Sequence, residues 1–250
     1  MISYIGGKAR IGKWIKQHIP NDIETYVEGF SGMFWVFFNL DLEKFPNLKT
    51  VVYNDYNKLN SNLFKCVKRY DELWDELQKY PIQQYKVTDE DKTPYVELFT
   101  RFQKEVYDDN LVITDDNSLE IAGKYLYVLT QIYSGTKPDT TKMMFYKGKY
   151  RSKLYCFMNK LKNKKWREMF DKITFVENMD FQLLIEKYDS PTTYFYIDPP
   201  YYRTENYYSS HNFDRSSHLR LSNSIKNITG KFSLSYYEFD ELKLARALTD

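Results

Sequence analysis

The sequence predicts an α/β protein built on a parallel sheet, and two observations carry that expectation. Short runs rich in β-branched and aromatic residues recur along the chain, separated by segments of helical periodicity. Most of these runs also end in a turn containing Gly, Asn, Asp or Pro. Strand, turn and helix in repeated order require crossover connections, and hence parallel strands. The 250 residues, with 24 Tyr, 17 Phe and 4 Trp against 9 Gly, allow one large domain or one domain with an insertion. They can bury a core without disulfides or structural metal.

The elements follow in order. Residues 9–18 read as a short amphipathic helix ended before Pro20. Residues 25–28 form a strand, and Gly29-Phe30-Ser31-Gly32 a turn. Residues 33–40 are almost wholly apolar, too buried for a surface helix. A buried strand at 50–53 ends at Asn54-Asp55, and 57–70 is helical in pattern. Residues 70–116 are polar and acid-rich, with Asp71, Glu72, Asp75, Glu76, Asp89, Glu90 and Asp91, and read as helices joined by a loop around Pro94. An apolar helix returns at 121–133, and Ser134-Gly135-Thr136-Lys137-Pro138 opens a loop. Residues 140–167 hold ten Lys or Arg and no acid, interleaved with aromatics. The strand pattern resumes at 173–176, with a helix through Leu183-Leu184-Ile185. A buried strand at 194–197 runs into Asp198-Pro199-Pro200-Tyr201. A polar loop to residue 216, a helix to 225 and a strand at 231–235 follow.

Composition removes several classes. A net charge of +2 and 28% charged residues exclude a polybasic or polyacidic tail, and 18% aromatics exclude a disordered chain. Cys66 and Cys156 form no CxxC pair, against a disulfide scaffold or cysteine zinc site and in keeping with a reducing cytoplasm. Three histidines, His18, His211 and His218, are too scattered for a metal cluster, so no metal is expected. No apolar run approaches the ~20 residues of a membrane helix. The first eight residues run straight into a glycine turn and charge, unlike a secretion signal.

Asp198-Pro199-Pro200-Tyr201 is the strongest chemical signal. Ligands of open α/β sheets sit outside the carboxyl ends of strands. Two prolines stiffen the loop and remove two donors, leaving the Asp198 carboxylate and the Pro199 carbonyl as an acceptor-rich edge. That edge suits a planar amino group with two hydrogens. Both acceptors together favour a pyramidal nitrogen whose lone pair faces an electrophile, and Tyr201 offers a ring for a base. A Pro-Pro turn that merely caps a strand is the alternative. Glu28-Gly29-Phe30-Ser31-Gly32 is a glycine turn that lets backbone approach a nucleotide, or is only structural. Asp55, at the end of the next strand, is placed for ribose hydroxyls or is a solvated turn acid. Tyr4-Ile5-Gly6-Gly7-Lys8 lacks P-loop spacing, so it is no ATP site.

In this order the motifs resemble the Dam-type DNA adenine methyltransferases, the alpha class of D-P-P-Y amino-methyltransferases, over most of the chain. The resemblance implies a Rossmann-like S-adenosylmethionine-dependent methyltransferase sheet with an inserted, mostly helical target-recognition domain. It places the catalytic domain at 1–60 and 168–250 and the recognition region at 61–167, with a carboxyl end shorter than the family's final strand pair. It implies that Tyr4, Ile5, Gly6 and Lys8 meet the methionine end of S-adenosylmethionine. It assigns the cofactor loop to Glu28, Gly29, Phe30, Ser31 and Gly32, the ribose to Asp55, and the cofactor adenine to Asp180 and Phe181. It gives catalysis to Asp198, Pro199, Pro200 and Tyr201, with Asp198 also beside the cofactor, and it sets residues 232–236 behind the target pocket. The family has proline where Gly29 stands and glycine where Phe34 stands, and a bulky Phe34 is expected to reshape the cofactor pocket.

The expected function is transfer of a methyl group from S-adenosylmethionine to the 6-amino group of a flipped adenine in double-stranded DNA. Lys137, Lys142, Lys147, Lys149, Arg151, Lys153, Arg203 and Tyr207 are the expected DNA contacts. Residues 160–167 read instead as a solvated helix with aromatics in the core. His211 and His218 read as loop polar residues, since the amine can lose its proton to water. The partner is DNA, with a cognate restriction endonuclease a candidate and a monomer expected, in the cytoplasm of a prokaryote or of a viral host. Two alternatives stay open: a catalytically idle DNA-binding protein of the same fold, and an amino-methyltransferase acting on cytosine, RNA or protein.

Overall fold

The computed structural model describes residues 7–8, 11–82, 92–133, 136–145, 152–201 and 213–236. Five strands form one parallel sheet: β1 (Thr25–Glu28), β2 (Thr50–Asn54), β3 (Phe175–Glu177), β4 (Thr193–Ile197) and β5 (Lys231–Leu234), in the order β3-β2-β1-β4-β5. Thr25 pairs with Thr50 on one side and with Thr193 on the other. The chain therefore builds outward from β1 to β3, then jumps back to lay β4 on the opposite side of β1. The central strands are buried on both faces, as a parallel sheet between helices requires, whereas β3 and β5 are the more exposed edges.

Period-two alternation divides the strands between two cores. Tyr26, Val51, Tyr53, Tyr194 and Tyr196 face the larger one. It takes in the apolar segment 33–45 and helices α2 (Lys58–Val67), α3 (Tyr70–Gln78), α4 (Lys92–Val106), α5 (Ser118–Thr130), α6 (Lys153–Lys162) and α7 (Lys164–Asp171). Val27, Val52, Phe195 and Ile197 face the smaller core with α8 (Phe181–Tyr188) and α9 (Arg215–Lys226). The six helices described between β2 and β3 thus lie on one face, in a core continuous with the sheet. The helices after β3 lie on the other face, which completes a doubly wound sheet.

Several elements differ from the sequence reading. Helix α1 (Gly12–Ile15) is one turn, continued by a 3₁₀ turn at Lys16–His18, and the apolar run 33–40 holds only the 3₁₀ turn Phe37–Asn39, with a second such turn after it at Leu42–Lys44. Pro94 lies in the first turn of α4 rather than in a loop. A first-turn N–H has no intrahelical partner, so proline costs nothing there. His218 stands on α9, not in a loop.

Candidate active site

The strand order reverses between β1 and β4, and the loops leaving their carboxyl ends build the site. Glu28 closes β1 and is 2% exposed. Its Oε1 accepts from the Tyr26 hydroxyl and from the Phe37 N–H, both at 2.7 Å. Burial pushes its carboxyl up to about 8, against those two hydrogen bonds. The Gly29 N–H donates to the Tyr196 carbonyl of β4 at 3.1 Å. The Ser31 hydroxyl donates to the Glu28 carbonyl at 2.9 Å and accepts from the Asn54 N–H at 3.1 Å. Gly32 has φ 50°, a conformation open to glycine without steric cost, and its N–H donates to Asp55 Oδ2 at 2.8 Å.

Phe34 also has positive φ, 56°, so the chain keeps a glycine-like backbone with a phenylalanine on it. The ring does not enter the site. It is 0% exposed and packs against Phe37, Tyr53 and Phe64 at 4.7, 5.2 and 5.9 Å in the larger core. The expected reshaping of the cofactor pocket by this side chain is therefore corrected: its bulk goes into the core.

Asp55 follows β2. Its Oδ1 accepts from the Asn57 N–H at 2.8 Å, and its Oδ2 accepts from Asn60 Nδ2 at 3.0 Å as well as from Gly32. Burial raises its carboxyl to about 6 against these bonds. Asn54, 1% exposed, ties three loops together: its Nδ2 donates to the Gly29 and Met179 carbonyls at 2.9 and 3.2 Å, and its Oδ1 accepts from the Met179 N–H at 3.0 Å. The pair Asp180-Phe181 follows β3. Asp180 caps α8 through the Gln182 N–H at 2.9 Å and accepts two bonds from Arg220, at 3.1 and 3.0 Å. The Phe181 ring lies 5.7 Å from that of Phe30 and 4.8 Å from the Arg220 guanidinium.

Asp198 follows β4. Its Oδ2 is 2.8 Å from Lys8 Nζ, with both side chains about one-eighth exposed, at 13% and 12%. Its Oδ1 accepts from the Tyr201 hydroxyl at 3.2 Å, and Lys8 also donates to that hydroxyl at 2.9 Å. Burial pulls the Lys8 ammonium down, but the charge and hydrogen bond of Asp198, with Tyr201, outweigh it and hold the group above its ordinary range. Burial pushes the Asp198 carboxyl up, and Lys8 opposes that. Ser235 Oγ, beyond β5, lies 3.2 Å from the Tyr201 hydroxyl. The Tyr236 ring packs 5.4 Å from that of Tyr201, and its hydroxyl is 2.9 Å from His218 Nδ1. An ion-paired carboxylate, a stackable phenol and a glycine turn thus share one sheet edge.

The family described as D12 class N6 adenine-specific DNA methyltransferase matches residues 4–250. The chain belongs to that family. A relative, the Type II methyltransferase M.CviBI of Paramecium bursaria Chlorella virus NC1A, is 22% identical over 233 residues, covering 92% of this chain and 80% of the viral protein. The chain is accordingly an adenine-specific DNA methyltransferase, and its mixed α/β fold with a parallel sheet is the Rossmann-like one expected. No helix among the described residues is long and apolar enough to cross a membrane.

The methyltransferase's expected contact residues divide. Glu28, Gly29, Phe30, Ser31, Gly32, Asp55, Asp180, Phe181, Asp198, Pro199, Pro200 and Tyr201 all follow or end strands at the carboxyl edge, and Lys8 joins them from the amino-terminal segment. Lys137 and Lys142 lie on a segment pinned by Gln103 Nε2, which donates to the Pro138 and Thr141 carbonyls at 2.7 and 3.0 Å. Lys153 is half-buried and donates to the Ile132 carbonyl just beyond α5 at 2.7 Å. Tyr4, Ile5, Gly6, Lys147, Lys149, Arg151, Arg203 and Tyr207 lie outside the described residues, as does His211. In 160–167, Lys160 lies over Trp166 at 4.5 Å and Arg167 pairs with Asp71 at 2.5 Å, in keeping with the bland reading of that stretch. No local pattern in the sequence marks Asn60, Arg220 or the His218–Tyr236 pair, whose contacts with Tyr125, with Asp180 and with each other span 65, 40 and 18 positions.

Proposed function

We propose that the methyl donor is S-adenosylmethionine and that the acceptor adenine is extruded from double-stranded DNA and gripped at Asp198. The residues present fit that donor. Asp55 accepts three hydrogen bonds, and a carboxylate has about four lone-pair sites, which leaves one for a ribose hydroxyl. Phe30, half-buried and backed by the Phe181 ring at 5.7 Å, offers an aromatic face suited to a purine. The ammonium of Lys8 suits the carboxylate of an amino-acid end. When bound, S-adenosylmethionine supplies an electrophilic methyl carbon on a sulfonium.

One observation carries the reading: Asp198 is held ion-paired one strand away from the glycine turn, where β1 and β4 part. Lys8 favours the ionised carboxylate, which only accepts hydrogen bonds. Lys8, Tyr201 and Ser235 engage three of its roughly four lone-pair sites, so it retains capacity for one amine N–H. The Pro199 carbonyl takes the second hydrogen. The nitrogen then becomes pyramidal and its lone pair turns outward, and orientation replaces a large part of the barrier. Stacking on Tyr201, about 1–3 kcal/mol, offsets part of the few kcal/mol of extrusion. The proton leaves to water after transfer, and no histidine takes part.

Residues 61–167 serve as the recognition region in this reading, with Lys137 and Lys142 on phosphates. A cognate endonuclease, a monomeric state and a cytoplasmic setting complete the proposal. Its test is Asp198→Ala incubated with DNA and labelled S-adenosylmethionine. Incorporation should fall by about 10³ while calorimetric cofactor affinity stays within a few-fold. Undiminished incorporation removes the assignment.

A further inference from the structure

The hydrogen bonds around Asp55 continue into the inserted helices. Asn60, in the first turns of α2, is 1% exposed. Its Nδ2 donates to Asp55 Oδ2 at 3.0 Å, and its Oδ1 accepts from the Tyr125 hydroxyl at 2.7 Å. Tyr125 belongs to α5 and is 0% exposed. An amide has a donor at one end and an acceptor at the other, with nearly the same shape. The Asp55 carboxylate accepts only, so the amino end must face it and the oxygen must face Tyr125, whose hydroxyl then donates. Loss of that donor leaves the buried Asn60 Oδ1 short of a hydrogen bond and weakens the hold on the orientation that turns the amino end toward Asp55.

We propose that Asn60 and Tyr125 are positioning residues for Asp55, so that inserted helix α5 fixes the carboxylate offered to the cofactor ribose. The inference rests on the reading of Asp55 as the ribose acceptor. The other two donors to Asp55, from Gly32 and Asn57, are backbone N–H groups. Asn60 is the side-chain donor, and it shares Oδ2 with the N–H of the glycine turn. The network therefore sets both the carboxylate and the turn it holds. The residues that follow this helix meet the segment bearing Lys142 and the first residue of α6. Just beyond α5, the Gln131 carbonyl accepts from the Met144 N–H and the Ile132 carbonyl accepts from Lys153, each at 2.7 Å. One helix thus adjoins both the cofactor acid and the segment bearing Lys142.

The test compares Tyr125→Phe, Asn60→Asp and Asp55→Asn in the full chain. S-adenosylmethionine affinity is read by calorimetry, KM for cofactor and for DNA separately, and melting temperature alongside. Tyr125→Phe keeps the ring in the core and removes only the donor. It should weaken cofactor affinity and raise cofactor KM about fivefold, with kcat and DNA KM unchanged. Asn60→Asp places two carboxylates together and should weaken affinity further, by about tenfold or more. If Asp55→Asn weakens cofactor binding but the other two variants stay within twofold of the parent, the positioning role is overturned while the ribose reading stands. If Asp55→Asn itself leaves affinity unchanged, the ribose reading falls, and the inference with it. Cofactor KM and DNA KM rising together with a falling melting temperature would make Asn60 and Tyr125 merely structural, which also overturns the assignment.

Discussion

Asp198, Glu28 and Asp55 are three carboxyl groups along about one sheet edge, and burial disfavours charge on each. Lys8 compensates Asp198, whereas Glu28 accepts from neutral donors only. Glu28 ionises at 4.5 when exposed and at about 8 when folded. Between those values the folded state keeps a proton that the unfolded state has lost. Stability is therefore fully present below the lower value and declines as pH rises through the window, at up to about 1.4 kcal/mol per pH unit. Asp55, raised from 3.8 to about 6, acts in the same sense at lower pH. Glu28→Gln should show a shallower decline in urea midpoint from pH 4.5 to 8 than the parent, and parallel declines would refute the buried-acid account. Phe34 poses a second opposition. Left-handed backbone costs a non-glycine residue roughly 1–2 kcal/mol, but a buried Phe removed to a small residue costs about 3–5 kcal/mol. Packing wins, so Phe34→Gly should destabilise by about 2 kcal/mol or more in chemical denaturation, even though it restores the family's glycine. A more stable variant would show the strain to be the larger quantity.

Helices α3, α6 and α7 join through two kinds of contact of unequal weight. Asp71 of α3 pairs with Lys162 and Arg167, but it is 59% exposed, where such pairs contribute about 1 kcal/mol or less. Phe157 of α6 is 1% exposed. Asp71→Ala should cost under about 1 kcal/mol and Phe157→Ala about 3–5 kcal/mol in urea unfolding, and the reverse ranking would mean that charge, not packing, seats these helices. The strands were legible because their residues are β-branched or aromatic and their ends carry Gly, Asp or Pro. The observed β4 begins one residue before the run read from sequence, and β3 begins two residues after its own. The run 33–40 was not legible, since its apolarity fits a buried helix as well as the turns it forms. Pro94 misled because proline marks a helix start as readily as a loop. The motif residues of the site were legible as local strings. The direction of the Phe34 ring was not, because it depends on a backbone angle, and Asn60 with Tyr125 was not, because the two are 65 positions apart.

Acids of α3 to α5 meet their own cations, as Glu105 and Glu120 do around Lys124, and part of the 160–167 cluster is spent on Asp71. The small net charge of +2 thus leaves Lys137 and Lys142 as candidates for phosphate. Each phosphate contact adds about 0.9 to the slope of log affinity against log salt. The double variant Lys137→Ala with Lys142→Ala should flatten that slope by about two without altering cofactor affinity, and an unchanged slope places the DNA elsewhere. The register of the sheet has a consequence for synthesis. Val27 of β1 lies between Val52 and Phe195, so one flank of the innermost strand has no partner until most of the chain has left the ribosome. Nascent chains hold an open apolar seam for that interval, and truncated products ending before residue 193 should be ready substrates for chaperones and proteases.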